Sequence, residues 1–139
     1  MLLLDTNHFS EIERDSSISR RLQSRIEASD QPAVISIVTA EESMSGWLAK
    51  LHGNQAREQL LITYRDFACG IEKLDNWTIL DWTERAADAF DALRAQRVRI
   101  GTLDLRIASI AIVHDATLLS RNLRDFRLVP GLRVENWLD

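Results

Sequence analysis

Asp5 closes the apolar run "LLL" and is followed by Thr6 and Asn7. Glu42 lies just past a β-rich stretch, Asp104 opens an apolar helical stretch, and Asn122 follows "ATLLS". Taken singly, each has an ordinary explanation. Asp5 suits a turn or a helix cap. Glu42 suits the third position of a capping box opened by Thr39. Asp104 near a helix N-terminus is favoured by the helix dipole. Asn122 and Asp125 suit a turn around "RNLRDF". Brought together, the carboxylates would repel one another unless a cation stood between them. A set of oxygen ligands, with no cysteine or suitably spaced histidine, selects Mg²⁺ or Mn²⁺ over zinc. Such a site can orient a water, lower its pKa and neutralise a phosphodiester during in-line attack, with no nucleophilic side chain.

The elements must bring these residues to one place. Residues 2–5 read as a short buried strand. A polar helical stretch follows, with Ser17 as its cap and Ile18, Leu22 and Ile26 on one face. "QPAVISIV" (31–38) reads as a second strand, and 39–51 as a helix capped by Thr39. Residues 54–73 read as a long helix with Leu60, Leu61, Tyr64, Phe67 and Ile71 on one side. "WTIL" (77–80) is a third strand, 83–96 a helix capped by Thr83, and 101–115 a helix capped by Thr102. "ATLLS" (116–120) is a fourth strand and "LRVENW" (132–137) a fifth. Strands separated by helices imply βα units, an α/β fold and a mainly parallel sheet of four to five strands. In such sheets ligand sites lie beyond the carboxyl ends of the strands. Asp5, Glu42, Asp104 and Asn122 all project to that edge.

Bulk properties narrow the class. The 139 residues suit one domain, 1–139, with a substantial core. No apolar run approaches the roughly 20 residues that span a membrane, and no signal peptide is evident, which points to the cytoplasm. Cys69 is the one cysteine, which excludes an internal disulfide; it reads as a small buried hydrophobe. The net charge of −4 argues mildly against a generic nucleic-acid coat protein. Of 17 basic residues only Lys50 and Lys73 are lysines, and arginine suits bidentate phosphate contacts. His8, His52 and His114 lack partners at acid–base spacing. Trp47, Trp77, Trp82 and Trp137 read as packing residues.

"LLLDTN", "ISIVTAEESMSG", "GTLDLRIASIAI" and "ATLLSRNLRDFRLVPGLRVENW" resemble the four successive motifs of the PIN-domain ribonucleases. The likeness is strongest to the VapC-type toxins of toxin–antitoxin pairs and covers essentially the whole chain. It implies a PIN-like three-layer fold, a sheet with helices on both sides, and Mg²⁺- or Mn²⁺-dependent RNA cleavage. The family's acids fall on Asp5, Glu42 and Asp104; Glu42 stands four residues before Gly46, and Glu41 does not fit. Where the family often has a Thr and a further Asp, this chain has Ser120 and Asn122, with Asp125 nearby to compensate. That departure leaves a single-metal site open and weakens a two-metal one. The resemblance assigns Asp5 and Asp104 as the most direct metal ligands. Glu42 binds the metal or holds a water of its shell. Thr6 and Ser120 orient a carboxylate, and Asn122 contacts water or phosphate. Arg121, Arg124 and Arg127 are candidates for gripping RNA backbone.

The resemblance also implies transfer RNA or ribosomal RNA as substrate, a cognate protein antitoxin and a homodimer. Ile18, Leu22, Trp47 and Leu51 form a candidate antitoxin groove, or else simply core. A haloacid-dehalogenase-type phosphatase is a rival, but it needs an Asp where Asn7 stands. A second rival is a PIN-fold binding or regulatory module in an antitoxin–DNA complex, with weak or no nuclease activity.

Overall fold

A computed structural model of the chain describes residues 1–53 and 55–139. Among the described residues, five strands form one sheet in the order β3-β2-β1-β4-β5. They are β1 (Leu2–Leu4), β2 (Ala33–Ser36), β3 (Ile79–Leu80), β4 (Thr117–Leu119) and β5 (Arg133–Glu135). Each pair of neighbours is parallel. The helices are α1 (Thr6–Ile12), α2 (Ser17–Ser29), α3 (Ile37–His52), α4 (Arg57–Asp75), α5 (Glu84–Ala95), α6 (Thr102–Val113) and α7 (Leu123–Phe126). No helix is long and apolar enough to cross a membrane among these residues.

Side-chain alternation along the strands divides the core into two layers. Leu3, Val34 and Leu118 face one way and pack with Ala86, Leu93, Ile107, Ile110 and Phe126 of α5, α6 and α7. Leu2, Leu4, Ile35 and Leu119 face the other way, with Phe9 of α1, Ala40 of α3 and Leu74 of α4. The result is the expected α/β three-layer arrangement. The strand order reverses beside β1: β2 and β3 lie on one side of it, β4 and β5 on the other. The crevice at such a reversal is where open parallel sheets bind ligands. Asp5 and Ser120 lie just past the adjoining ends of β1 and β4.

The element boundaries differ from expectation in informative places. α3 begins at Ile37, not after Thr39, because Ser36 Oγ accepts the Thr39 N–H at 3.1 Å and caps the helix three residues earlier. Ile37 and Val38 form its first turn rather than the end of a strand. Ser16 caps α2 in place of Ser17, and Gly101 precedes α6 in place of Thr102. Thr83 caps α5 as expected, accepting the Ala86 N–H at 3.2 Å. The expected long helix at 54–73 starts at Arg57 and runs to Asp75; its first position, Asn54, lies outside the described residues. Its inner face carries Thr63 and Leu74, whereas Leu61, Tyr64 and Ile71 point to solvent. Cys69 is exposed, not buried.

Candidate active site

Asp5 ends β1 and caps α1. Its Oδ1 accepts the Thr6 N–H at 2.7 Å. Its Oδ2 accepts the Ser120 hydroxyl at 2.6 Å, a bond that ties the carboxyl ends of β1 and β4 together. Asp5 is 6% exposed, and Ser120 is fully buried. Burial pushes the Asp5 carboxyl above its ordinary pKa, and the bonds from Ser120 and Thr6 oppose that rise.

Glu42 reaches the same edge from α3. Because α3 starts at Ile37, Glu42 stands beyond its first turn and takes no part in capping. Its Oε1 accepts the Thr6 hydroxyl at 2.9 Å instead. Thr6 therefore bonds Asp5 through its backbone and Glu42 through its side chain. Burial raises the Glu42 pKa, the Thr6 bond opposes this, and the charges of Asp5, Asp104 and Glu41 raise it further.

Asp104 lies in the first turn of α6. Asn122 Nδ2 donates to Asp104 Oδ2 and to Asp125 Oδ2, each at 3.1 Å. The Asn122 backbone N–H donates to Ser120 Oγ at 3.0 Å. Asn122 thus closes the chain Glu42–Thr6–Asp5–Ser120–Asn122–Asp104. Burial raises the Asp104 carboxyl, as does the charge of Asp5; the Asn122 bond opposes and Asp125 adds to the rise. Asp125 moves the other way, held low by its bonds from Asn122 and Arg124. The Asn122 amide thus stands between the Asp104 and Asp125 carboxylates.

Among the described residues, no three His, Cys, Asp or Glu side chains stand together as a ready-made metal cage. Thr6 and Asn122 sit between the carboxylates and hold them by hydrogen bonds. The donor chemistry nonetheless fits a hard divalent cation. Asp5, Glu42 and Asp104 offer only oxygen, and the like charges that raise Glu42 and Asp104 are the repulsion that a cation would relieve.

The three arginines expected to grip a phosphate backbone do not share one surface. Arg121 pairs with Asp139 at 3.5 Å and lines a small cavity with Thr6, Asn7 and Arg14. Arg124 pairs with Asp125 at 3.1 Å and lines a different, larger cavity. Arg127 is exposed at the end of α7. That larger cavity is also lined by Arg94 and Arg99, which sequence reading passed over. The available signal was the arginine spacing in "RAQRVRIG".

The expected groove divides as well. Leu22 is 1% exposed and belongs to the core. Ile18 and Leu51 are half-buried. Trp47 lines a groove of about 480 Å³ that runs between α1, α3 and α4 from Glu42 to Lys73. His8 is fully buried, and its Nε2 accepts the Trp137 N–H at 3.1 Å, a packing role. Trp77 packs edge-on against Phe9 at 5.5 Å.

Comparison with known proteins agrees with the fold. Ribonuclease VapC2 of Rickettsia felis is 35% identical over 68 residues, 46% of this chain and 51% of that protein. The tRNA(fMet)-specific endonuclease VapC of Salmonella typhimurium is 31% identical over 84 residues, 58% of this chain and 64% of that protein. Each match spans less than two thirds of the relative, and about half of the first. Among solved structures, DNA-bound VapBC from Salmonella typhimurium superposes with a TM-score of 0.76 at 25% identity, over 98% of this chain and 97% of that one. VapBC2 from Rickettsia felis, bound to a promoter DNA fragment, gives 0.72 at 25% identity, over 98% of each chain. A sequence profile of the PIN domain matches residues 2–132, from β1 through the turn before β5, and the chain is a member of the PIN-domain family.

Proposed function

We propose that the chain is a divalent-metal-dependent endoribonuclease and the toxin of a toxin–antitoxin pair. One observation carries the reading: a continuous hydrogen-bonded chain joins Glu42, Asp5 and Asp104 at the point where the strand order reverses. The names of the VapC relatives support the reaction class.

Asp5, Asp104 and Glu42 would hold Mg²⁺ or Mn²⁺. When bound, the cation supplies Lewis-acid stabilisation of phosphodiester charge and acidifies a water. The chain's own residues set the stage. Ser120 and the Thr6 backbone fix both oxygens of Asp5. The Thr6 hydroxyl orients Glu42, placing its carboxylate to accept a proton from an attacking water. Asn122 orients Asp104 and offers an amide to water or phosphate. Of the expected arginines, Arg124 borders the site most directly, through Asp125.

The substrate class is structured cellular RNA, transfer or ribosomal. The partner is a protein antitoxin, as in the VapBC neighbours. The groove from Glu42 along Trp47 is the surface we assign to it, and the exposed Met44, Leu48, Leu61, Tyr64 and Ile71 of α3 and α4 leave apolar area for a protein partner or a second copy. We read residues 1–139 as one PIN domain acting in the cytoplasm, as a homodimer with its antitoxin. The DNA-bound neighbours favour a second reading, a regulatory module in an antitoxin–DNA complex.

The deciding experiment is incubation of purified, antitoxin-free protein with total cellular RNA and Mg²⁺ or Mn²⁺. Discrete cuts are expected, abolished by EDTA and by Asp104→Asn. Folded protein that leaves RNA intact overturns the nuclease and favours the regulatory module. Cutting that survives Asp104→Asn overturns the site.

A further inference from the structure

The larger cavity beside the acidic edge has Arg124 and Asp125 on its wall, but Phe90, Arg94 and Arg99, which also line it, have no part in the roles assigned above. Its volume is about 700 Å³, and it lies between α5, the loop into α6, and α7. That falls within the roughly 300–1,000 Å³ of sites for small organic groups. It shares a wall with the candidate active site. Asp125 lines it and accepts from the same Asn122 amide that holds Asp104. Gly101 lines it too, and a methyl group built there would stand 3.9 Å from Asp104 Oδ2. A group filling the cavity therefore ends beside that carboxylate.

Its lining is specific in chemistry. Arg94, Arg99 and Arg124 converge on it over a floor of Phe90, Val98 and Leu105. Arg124 is paired with Asp125. Among the described residues, Arg94 and Arg99 have no carboxylate at ion-pair distance. Arg94 instead lies over the Phe90 ring at 5.6 Å. Trp82 packs edge-on against the same ring at 5.7 Å. Guanidinium groups without anions above an apolar floor match a nucleotide: phosphate on the arginines, base against Phe90, Val98 and Leu105. A cavity of this volume suits a nucleotide-sized group, whereas a duplex is recognised along its grooves.

We infer that this cavity binds one unpaired nucleotide of the RNA, flanking the bond that is cut. The inference rests on the ribonuclease reading and deepens it by naming the residues that hold the flanking nucleotide. Arg94, Arg99 and Phe90 are those residues.

The test uses an Asp104→Asn background, so that RNA is bound but not cut. A fluorescent single-stranded oligoribonucleotide is titrated over a range of salt. Adding Arg94→Ala and Arg99→Ala should weaken binding about tenfold at low salt and flatten the slope of log K against log salt by about 1.4, for two lost phosphate contacts. Phe90→Leu should weaken binding about fivefold with the slope unchanged, as lost stacking does. Melting curves establish that each variant is folded. Affinity and slope unchanged in the double arginine variant, with wild-type protein still cutting RNA, would overturn the cavity and leave the nuclease standing. A wild-type protein that neither binds nor cuts RNA overturns both.

Discussion

Replacing Ser120 by alanine should weaken both the fold and the site. The hydroxyl donates to Asp5 Oδ2 at 2.6 Å and accepts the Asn122 N–H at 3.0 Å, and Ser120 is fully buried. The first bond is charge-assisted and worth roughly 1.5–3 kcal/mol; the second is neutral and worth about 1 kcal/mol. Water cannot easily replace them, because Asp5 is only 6% exposed. The expected loss is about 2–4 kcal/mol. That is a large part of the roughly 5–15 kcal/mol that holds a typical domain together. For a chain of this length it corresponds to a fall in Tm of about 10 °C. The Asp5 pKa should rise further, since the Ser120 bond is the stronger of the two that oppose the rise. Thermal melting of the metal-free protein at pH 7.5 reads the first effect, and the Mn²⁺ concentration needed for half-maximal RNA cleavage reads the second. Ser120→Thr, which keeps the hydroxyl, should restore most of both. A Ser120→Ala protein that melts within 1–2 °C of wild type would refute the view that this hydroxyl joins β1 to β4 and holds Asp5 charged.

Two further outcomes follow from the electrostatics. Burial, with help from Arg121, pushes the His8 imidazole down to about 4, against the pull of Asp139. The neutral form belongs to the fold, so its stabilisation is present above about pH 6.5 and is lost as pH falls toward 4, by about 3 kcal/mol. The raised carboxyls of Asp5, Glu42 and Asp104 act oppositely as pH falls through their pKa values. The His8 effect is therefore read as the difference in Tm–pH slope between wild type and His8→Gln; equal slopes would refute it. The same three carboxyls make metal stabilisation pH-dependent. Mn²⁺ at about 100 times its Kd should stabilise the protein by about 2.7 kcal/mol. The shift should shrink as pH falls, because protons compete with the metal for carboxyls whose pKa is raised, and vanish in Asp104→Asn; an equal shift in that variant would remove Asp104 from the ligands.

The positions of Asp5, Glu42 and Asp104 were legible because strand ends and helix starts are marked locally. Period-2 and period-3.6 patterns locate the elements, and alternating strands and helices require parallel neighbours. The carboxyl edge then follows from topology. Local signals failed where two of them competed. Ser36 and Thr39 are both good caps, and only the end of β2 decides that Ser36 is used, which releases Glu42 to bond Thr6. Periodicity also cannot choose between adjacent stripes of one helix. Leu61, Tyr64 and Ile71 repeat as regularly as Thr63 and Leu74, and only packing against α3 selects the second set. The arginine spacing in "RAQRVRIG" could not by itself show that Arg94 and Arg99 share a cavity, for a related reason. A guanidinium at the end of α5 and another in the following loop become neighbours only when α6 and α7 close around them. Residue type and spacing determined which chemistry is available. The tertiary structure decided which side chains share it, because hydrogen bonds between residues as distant as Asp5 and Ser120 depend on strand order, which no local pattern encodes.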